Sequence, residues 1–430
     1  MDIIRPADAG FETELAGFQT AHSHRPDAVV PATSVDDVRA AVTLAGERGW
    51  PVAVRSSGHG SAAAVDRGLL ITTKRLDGVR IDPSTRTARI EAGVPWGAVV
   101  TAAAEHGLAP LSGSSPGVGA AGYVLGGGLG VLARRYGYAA DHVRSIDVVT
   151  ADAMAHHVTA GSDPDLFWAL RGGGTGFGVV TALEIELVPV TTIHGGGLYF
   201  DASLDVLRAW ADWTKDLPEE LTSSIGMLPY PDADWAPAPL RGKYVAHVRI
   251  AFDGPTATGE RLVAPLRELG PRLIDTVADM PFTEAETIFR DPPAPHAYRG
   301  ANAMLGELDD VLLRAVVELG GPDAPLPSVI QINHLGGALS RPPAVPNAVG
   351  HRDAAYLMRV VGGAEDADAV AAAQDAILAA AAPWTLGRNP NFVFGFVGTP
   401  EQVRSNHDPE AADRLAALRA ERDPADRFSG

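Results

Sequence analysis

The sequence contains no cysteine. Disulfide bonds, catalysis by a thiolate and metal sites with cysteine ligands are therefore excluded. We predict no metal site in this chain.

Positive charge is also scarce. The chain has 35 Lys and Arg against 53 Asp and Glu, a formal net charge of −18 at pH 7, and no basic run. Nucleic acids and anionic membranes bind clustered Lys and Arg. We therefore expect neither nucleic acid nor membrane as a partner.

Long apolar runs are missing as well. No stretch approaches the roughly 18 apolar residues that a membrane-spanning helix needs. Residues 1–6 lack the basic start and apolar core of a signal peptide. We expect a cytoplasmic protein of about two or three domains, since 430 residues with 46% hydrophobic content can form several cores.

One stretch combines a predicted strand, residues 51–55, with a loop of small residues that contains a histidine. Small residues let backbone N–H groups approach an anion, and a concave row of such donors suits a pyrophosphate. An ordinary connection with a solvated histidine explains these residues equally well. The loop consists of Ser56, Ser57, Gly58, His59, Gly60 and Ser61.

The densest run of glycine spans residues 112–130. It contains a G-x-G-x-x-G spacing at residues 117–122, which in a dinucleotide-binding Rossmann unit follows a strand. Here the preceding residues are rich in Ser and Pro, so we reject the Rossmann interpretation.

The remaining pattern predicts an α+β fold in two parts. Residues 1–30 are interpreted as loop, and Gly195 to Gly197 as a linker or turn between the parts. Predicted helices cover residues 34–47, 96–106, 164–170, 204–215, 259–269, 364–382 and 410–422. Predicted strands cover residues 69–73, 79–82, 87–92, 143–150, 179–188, 222–228, 244–251, 329–334 and 355–361.

Six motifs in a fixed order resemble the berberine-bridge-enzyme-like oxidases, flavoproteins of the vanillyl-alcohol-oxidase or PCMH type. Each motif is weak alone, but together they span about 130 residues in the family's order. They are RSSGH at 55–59, VGAAG with LGGG at 118–128, YG at 136–137 with Asp141, VVTAD at 148–152, DLFWALRGGG at 165–174 and FGVV at 177–180.

The resemblance implies an FAD-binding PCMH-type domain of two α+β subdomains in residues 1–193. It implies a substrate domain in residues 194–383, with an antiparallel sheet covered by helices. Residues 384–430 are expected to return to the FAD domain.

The resemblance also implies that FAD is bound and that His59 forms a covalent bond to it. Many members carry a second bond from a cysteine, at the position of Ser115 here, so a single link through His59 is expected. The other residues implied to bind the cofactor are Arg55, Ser56, Ser57, Gly58, Gly60, Ser61, Ser115, Gly119, Gly122, Gly127, Gly128, Asp141, Gly178, Val179 and Asn391.

The catalytic residues are harder to carry over. Asn389 stands where the family has an active-site tyrosine, and an amide has no useful pKa near neutrality. Val118 lies where the family controls access of oxygen, and its β-branched side chain favours an oxidase. Tyr123 and Tyr298 are candidate catalytic residues, and further candidates for a base are Tyr356, His296 and His334.

These implications predict an oxidase that takes a hydride to flavin N5 and is reoxidised by O2. The expected substrate is an organic alcohol, amine or polyketide-like specialised metabolite. One alternative is an oxygenating or cyclising flavoenzyme of natural-product biosynthesis, which would need no tyrosine base. Another is a flavin-binding protein without catalysis.

Overall fold

Three β-sheets organise the chain in the computed structural model, which describes residues 1–363 and 365–428. The first sheet is parallel, with Leu69–Thr72 between Ala28–Pro31 and Val52–Arg55. The helix Val35–Arg48 packs against it, and the Ser34 hydroxyl at its start accepts a hydrogen bond from the Asp37 N–H. The helix predicted over residues 34–47 is confirmed, and its apolar face is buried against this sheet.

The second sheet is antiparallel and has five strands. The two predicted strands in residues 79–92 form a hairpin at one edge of this sheet, which confirms the prediction. Helices Trp96–Ala104, Ala120–Leu125 and Pro164–Ala169 contribute buried side chains to its core. The strands are, in spatial order, Val79–Asp82, Thr87–Glu91, Val179–Glu186, Val143–Val149 and Ala155–Val158.

The third sheet is antiparallel and much larger. Helices Leu204–Thr214, Thr256–Arg267, Asp310–Gly320 and Ala367–Ala381 supply the apolar core on one of its faces. Its strands run Ile274–Asp275, Thr192–Asp201, Tyr244–Phe252, Leu221–Pro229, Val329–His334, Tyr356–Gly363, Tyr298–Leu305 and Thr385–Gly387, with Ala278–Pro281 also paired to Thr192–Asp201.

The predicted linker or turn at Gly195 to Gly197 is wrong. These glycines lie inside the strand Thr192–Asp201, opposite residues 249–251 of the next strand. A side chain at Gly197 would lie 2.2 Å from Nε2 of His247, so the glycine makes room for a buried ring. The predicted domain boundary at 193/194 therefore falls within a strand, and the three predicted domains stay a prediction.

Residues 1–30 are not all loop, contrary to expectation. They contain the helix Phe11–Leu15 and most of the strand Ala28–Pro31, whose central partner is Leu69–Thr72. The remaining described α-helices are Ala133–Tyr136, Pro400–Arg404 and Pro409–Arg422.

The predicted C-terminal helix is confirmed at Pro409–Arg422, and its Leu415 packs into the core of the second sheet. The C-terminal helix thus packs against the second sheet, and the predicted return of residues 384–430 to an FAD domain stays a prediction. Residue 364, predicted as the start of a helix, and residues 429–430 of the C-terminal segment lie outside the described residues. No helix among the described residues is long and apolar enough to cross a membrane.

Candidate functional site

A cavity of about 1500 Å³ lies between the loops of the first two sheets and the open face of the third. Most of the predicted site residues line it. They are Arg55, Ser56, Ser57, Gly58, His59, Gly60, Ser61, Ser115, Val118, Gly119, Gly122, Tyr123, Tyr298 and Asn391.

The imidazole of His59 is held in the cavity wall on two sides. Its ring stacks on Phe18 with centroids 3.8 Å apart, and its Nδ1 shares a hydrogen bond of 3.0 Å with the Ser57 hydroxyl. Its Nε2 is buried and has no hydrogen-bond partner among the described residues. Burial lowers the pKa of His59 to about 4, because the charged imidazolium loses hydration. The ring is therefore neutral near pH 7.

The N-terminal segment fixes the backbone of this loop. The N–H groups of Phe18 and Gln19 donate to the carbonyls of Ser57 and Gly58 at 3.0 and 3.1 Å. Gly58 has φ +77°, and a Cβ there would lie 2.9 Å from the Cα of Gly17. Only glycine fits this close approach. Sequence reasoning missed Phe18, since nothing in residues 1–30 pointed to the loop.

Ser57 joins two of the sequence motifs. Its hydroxyl accepts a hydrogen bond of 3.1 Å from the Gly119 N–H while it also contacts His59. Gly119 precedes the helix Ala120–Leu125, so the loop of His59 and the start of that helix form one continuous wall. Ser56 touches the same point, since a Cβ on Gly119 would lie 3.0 Å from its hydroxyl.

Arg55 immediately precedes the loop, and its buried side chain packs beside it. It is 7% exposed, and its Nη2 donates to the carbonyl of Glu14 at 3.1 Å. Its Nε is buried and has no hydrogen-bond partner in the part of the chain that the structure describes, and burial lowers the pKa of the guanidinium. A buried cation with free donor capacity favours an anion in the adjacent cavity.

Two tyrosines face the cavity as protonated phenols. Burial raises the pKa of both Tyr123 and Tyr298 far above neutrality. Within the described residues the Tyr123 hydroxyl has no hydrogen-bond partner, and its ring contacts Trp96 edge-on. The Tyr298 hydroxyl donates to the carbonyl of His59. At neutral pH these groups can donate a hydrogen bond but cannot take up a proton.

Asn389 is not among the described residues that line the cavity. It is 5% exposed, its N–H donates to the Asn302 side chain, and its Oδ1 accepts from the Asn391 N–H. The side-chain amide of Asn391 in turn donates to the backbone carbonyl of Tyr123 at 2.9 Å. Asn389 therefore positions Asn391, which lies on the wall.

Five other predicted cofactor residues lie behind the wall. Gly128 packs under Tyr123, where a Cβ would lie 2.5 Å from the ring, and Asp141 forms an ion pair of 2.6 Å with Arg352. Within the described residues these contacts stabilise the packing behind the wall. Contact with a cofactor stays a prediction for each of the five residues. The five are Gly127, Gly128, Asp141, Gly178 and Val179.

The further candidates for a base differ in position. His296 lines the cavity, whereas His334 and Tyr356 do not. Burial, together with the charge of Arg134, lowers the pKa of His334 to about 3. The Tyr356 hydroxyl is bonded to that of Thr214 in the core behind the sheet.

Sequence reasoning missed several charged residues in the wall, among them Arg249, Asp291 and Arg359. The signal was present for both arginines, because each interrupts an apolar strand: Arg249 follows Val248, and Arg359 follows Met358. Asp291 lies in a loop, where its Oδ2 accepts a hydrogen bond of 2.5 Å from Ser114.

The cavity fits a large polar ligand such as FAD. Buried polar atoms without a partner occur on both sides of it, which is costly unless a ligand or water satisfies them. At Gly60, Gly122 and Gly174 a Cβ would meet no other part of the described chain within 4 Å, so their backbones are open to the cavity. The unpartnered wall atoms include His59 Nε2, Arg55 Nε, Tyr123 Oη, Ser224 Oγ, Arg249 Nη1 and Arg359 Nε.

Comparison with known proteins gives the same cofactor. Residues 26–159 match the family model of an FAD binding domain. Over 99% of its length this chain is 30% identical to (R)-6-hydroxynicotine oxidase of Paenarthrobacter nicotinovorans, of which it covers 95%.

Solved structures show the same fold along the whole chain. The BBE-like 1 protein of Physcomitrella patens superposes with a TM-score of 0.84 at 18% identity, covering 99% of this chain and 95% of that one. The glucooligosaccharide oxidase of Acremonium strictum superposes with a TM-score of 0.85 at 20% identity, covering 99% and 95%. That enzyme is described with a 6-S-cysteinyl, 8α-N1-histidyl FAD.

Proposed function

The chain belongs to the berberine-bridge-enzyme-like FAD-linked oxidoreductases of the vanillyl-alcohol-oxidase superfamily, and from this premise we propose that it is an oxidase with O2 as electron acceptor. The proposed substrate is an organic alcohol, an amine or a polyketide-like specialised metabolite that gives up a hydride. FAD would be attached by a single covalent bond to His59.

The environment of His59 is the observation that supports this proposal most directly. The ring is fixed by Phe18 and Ser57, it is neutral, and it lines a cavity of about 1500 Å³. A neutral imidazole nitrogen is a competent nucleophile, and a fixed ring reduces the entropy lost on reaction. The chain has no cysteine to provide a second bond.

When bound, FAD supplies the hydride acceptor and the route of electrons to O2. The loop of residues 55–61 and the helix start at Gly119 hold the cofactor in this proposal. Val118 lines the cavity beside them, where a β-branched side chain leaves more room for O2 than leucine would. Asn391 ties the C-terminal segment to this wall through the carbonyl of Tyr123.

A proton acceptor for an alcohol or amine is available in the wall, although not from the tyrosines. Asp291 carries a carboxylate at the cavity surface, held by the Ser114 hydroxyl. A carboxylate can accept the proton that leaves as the hydride is removed. We infer that Asp291 takes the role that the missing tyrosine has elsewhere in the family.

A second candidate is an oxygenating or cyclising flavoenzyme. The side chain of Asn389 is bonded to the Asn391 N–H, and the wall tyrosines are protonated, which favours a reaction that needs no phenolate base. A flavin-binding protein without catalysis is the third possibility.

Turnover in the presence of labelled O2 tests these functions. The purified holoprotein is incubated with a panel of alcohols, amines and phenolic polyketides, and peroxide and products are measured. An oxidase releases one peroxide per substrate and leaves no label in the product. Label in the product supports the oxygenase, and neither peroxide nor product change across the panel contradicts both.

A further inference from the structure

The open face of the third sheet carries a polar row opposite the loop of His59. In an antiparallel sheet, directly paired residues point to the same face. Arg249 pairs with Ser224, and Ser224 pairs with Asn333. The next row on the same face lies two residues further along the strand of Ser224. In this row Gly226 pairs with Gln331, Gln331 with Arg359, and Arg359 with Asn302.

Arg249 lies across this row. It is 2% exposed, its Nε donates to Nδ1 of His247 at 3.2 Å, and its guanidinium lies 4.8 Å from the centroid of Phe289. A Cβ on Gly226 would lie 2.9 Å from its Nη2, so the guanidinium extends over this glycine towards Gln331. Its Nη1 is buried, with no hydrogen-bond partner in residues 1–363 and 365–428.

Arg359 approaches the same point from the other side. Its Nη2 donates to Oε1 of Gln331, and its guanidinium lies 4.4 Å from the centroid of Phe392. Its Nε has no hydrogen-bond partner in the same described ranges. Burial, together with the positive charge of Arg249, lowers the pKa of Arg359 to about 10, partly offset by the charge of Asp291. Both guanidiniums remain charged near neutral pH.

Among the described residues, neither cation has a counter-ion in contact. In residues 1–363 and 365–428, no Asp or Glu oxygen lies within 4.0 Å of either guanidinium. Asp291 is the carboxylate whose charge acts on both, and its Oδ2 accepts from Ser114. Burial of two cations without an anion is costly, and it stands out in a chain of net charge −18.

We propose that Arg249 and Arg359 bind a carboxylate of the substrate, so that the enzyme oxidises organic acids bearing the reactive alcohol or amine. This proposal rests on the proposed oxidase function and narrows its substrate class. Planar guanidiniums match a carboxylate in two-bond geometry, and Phe289 and Phe392 provide apolar surface beside it. The cofactor's own phosphates are assigned to the loop of Arg55, which belongs to the first sheet.

Ligand binding to the holoprotein tests this without a known substrate. Benzoate and benzamide have the same shape and differ in charge, and each is titrated while the flavin absorbance is followed. We expect benzoate to bind about tenfold or more tightly than benzamide. Arg249→Gln and Arg359→Gln should each weaken benzoate by about tenfold or more and leave benzamide nearly unchanged.

Two sets of variants serve as controls. Arg314→Gln removes one positive charge from a helix on the opposite face of the same sheet, and it should leave both affinities unchanged. If a glutamine variant does not fold, Arg249→Lys and Arg359→Lys keep the charge and should give intermediate benzoate affinities. Equal affinities of the native enzyme for benzoate and benzamide would overturn the proposal.

Asp291 provides the opposing explanation, in which its own carboxylate is the counter-ion of both arginines. Under our proposal the native enzyme already binds benzoate with a measurable affinity. Asp291→Asn removes a competing negative charge and should raise that affinity modestly. Benzoate that binds Asp291→Asn but not the native enzyme would support Asp291 as counter-ion and contradict the proposal.

The flavin content of the preparation separates this proposal from the proposed function. A yellow enzyme that does not distinguish benzoate from benzamide contradicts the carboxylate site alone. A colourless protein that takes up no FAD contradicts the oxidase, and calorimetry with the same two ligands then still decides whether the arginines bind a carboxylate.

Discussion

The hydroxyl of Tyr298 donates a hydrogen bond of 2.7 Å to the backbone carbonyl of His59. The two residues are 239 positions apart and belong to the third sheet and the loop beside the first. This bond joins the two walls of the cavity at the residue proposed to hold the cofactor. Because burial raises the pKa of Tyr298, the phenol stays a donor throughout the neutral range.

Tyr298→Phe should loosen this connection. The loss of one partly buried hydrogen bond is expected to cost about 1 kcal/mol of unfolding free energy and to slow covalent attachment of FAD. Tyr244→Phe is a matched control, because its hydroxyl donates to the carbonyls of Gly320 or Ser328 away from the cavity. Thermal unfolding should show a similar loss in both variants. Equal rates of covalent FAD attachment in the two variants would contradict the role of the Tyr298 bond.

Two glycines of one region should respond to alanine in opposite ways. Gly122 is in the helix Ala120–Leu125 and faces open space, so Gly122→Ala should keep or raise the stability of the apoprotein, by up to about 1 kcal/mol. The added methyl group projects where we propose FAD to bind, so cofactor content should fall. Apoprotein unfolding and FAD absorbance measure the two effects.

Gly126→Ala should instead damage the fold. A Cβ at Gly126 would lie 1.6 Å from Oδ1 of Asn391, so the C-terminal segment must move away from the wall. We expect a loss of about 1–3 kcal/mol from this overpacking, measured by denaturant unfolding. The double variant with Asn391→Ala removes the clashing atom and should recover part of that stability. No recovery would contradict the assigned contact.

Attachment of FAD should be insensitive to mild acid. Since burial lowers the pKa of His59 to about 4, most of the imidazole is neutral at pH 5, whereas a histidine of ordinary pKa would react roughly thirtyfold more slowly at about pH 5 than at about pH 8. Flavin-free protein incubated with FAD should therefore acquire covalent flavin at similar rates at the two pH values. A steep decline towards pH 5 would contradict the neutral buried imidazole.

Val118→Leu should slow reoxidation of the flavin by O2 without changing its reduction by substrate. Val118 is partly buried in the cavity wall, and leucine adds a methylene to that side. Stopped-flow mixing of reduced enzyme with O2 measures the effect, and Val118→Ile is the volume-matched control. Equal reoxidation rates in the leucine and isoleucine variants would contradict a role in oxygen access.

Local sequence signals predicted much of the fold. Ser34 marked the start of its helix, and the alternation around residues 79–92 predicted the hairpin. The strand Thr192–Asp201 was missed because Gly195 to Gly197 normally indicate a turn. Gly197 is needed in this strand because the ring of His247 leaves no room for a side chain there. His247 is about 50 residues away in sequence, so no local pattern reveals this contact.

The candidate site was predictable where short motifs carry it. The loop of His59 and the helix start at Gly119 were both found, because each motif lies on one continuous stretch. Phe18 was missed because it reaches the cavity only through long-range contacts with Ser57 and His59. Arg249 and Arg359 interrupt apolar strands, but only the pairing of those strands shows that both side chains face the cavity. Asn389 was expected at the catalytic centre, and its bond to Asn391 depends on a local turn that sequence alone does not define.

Acid denaturation of the purified protein tests the central claim most directly. If His59 carries FAD, the yellow flavin absorbance stays with the precipitated chain in the native protein and is lost to the supernatant in His59→Ala. Flavin that separates from the native chain, or that stays attached to His59→Ala, would contradict the account.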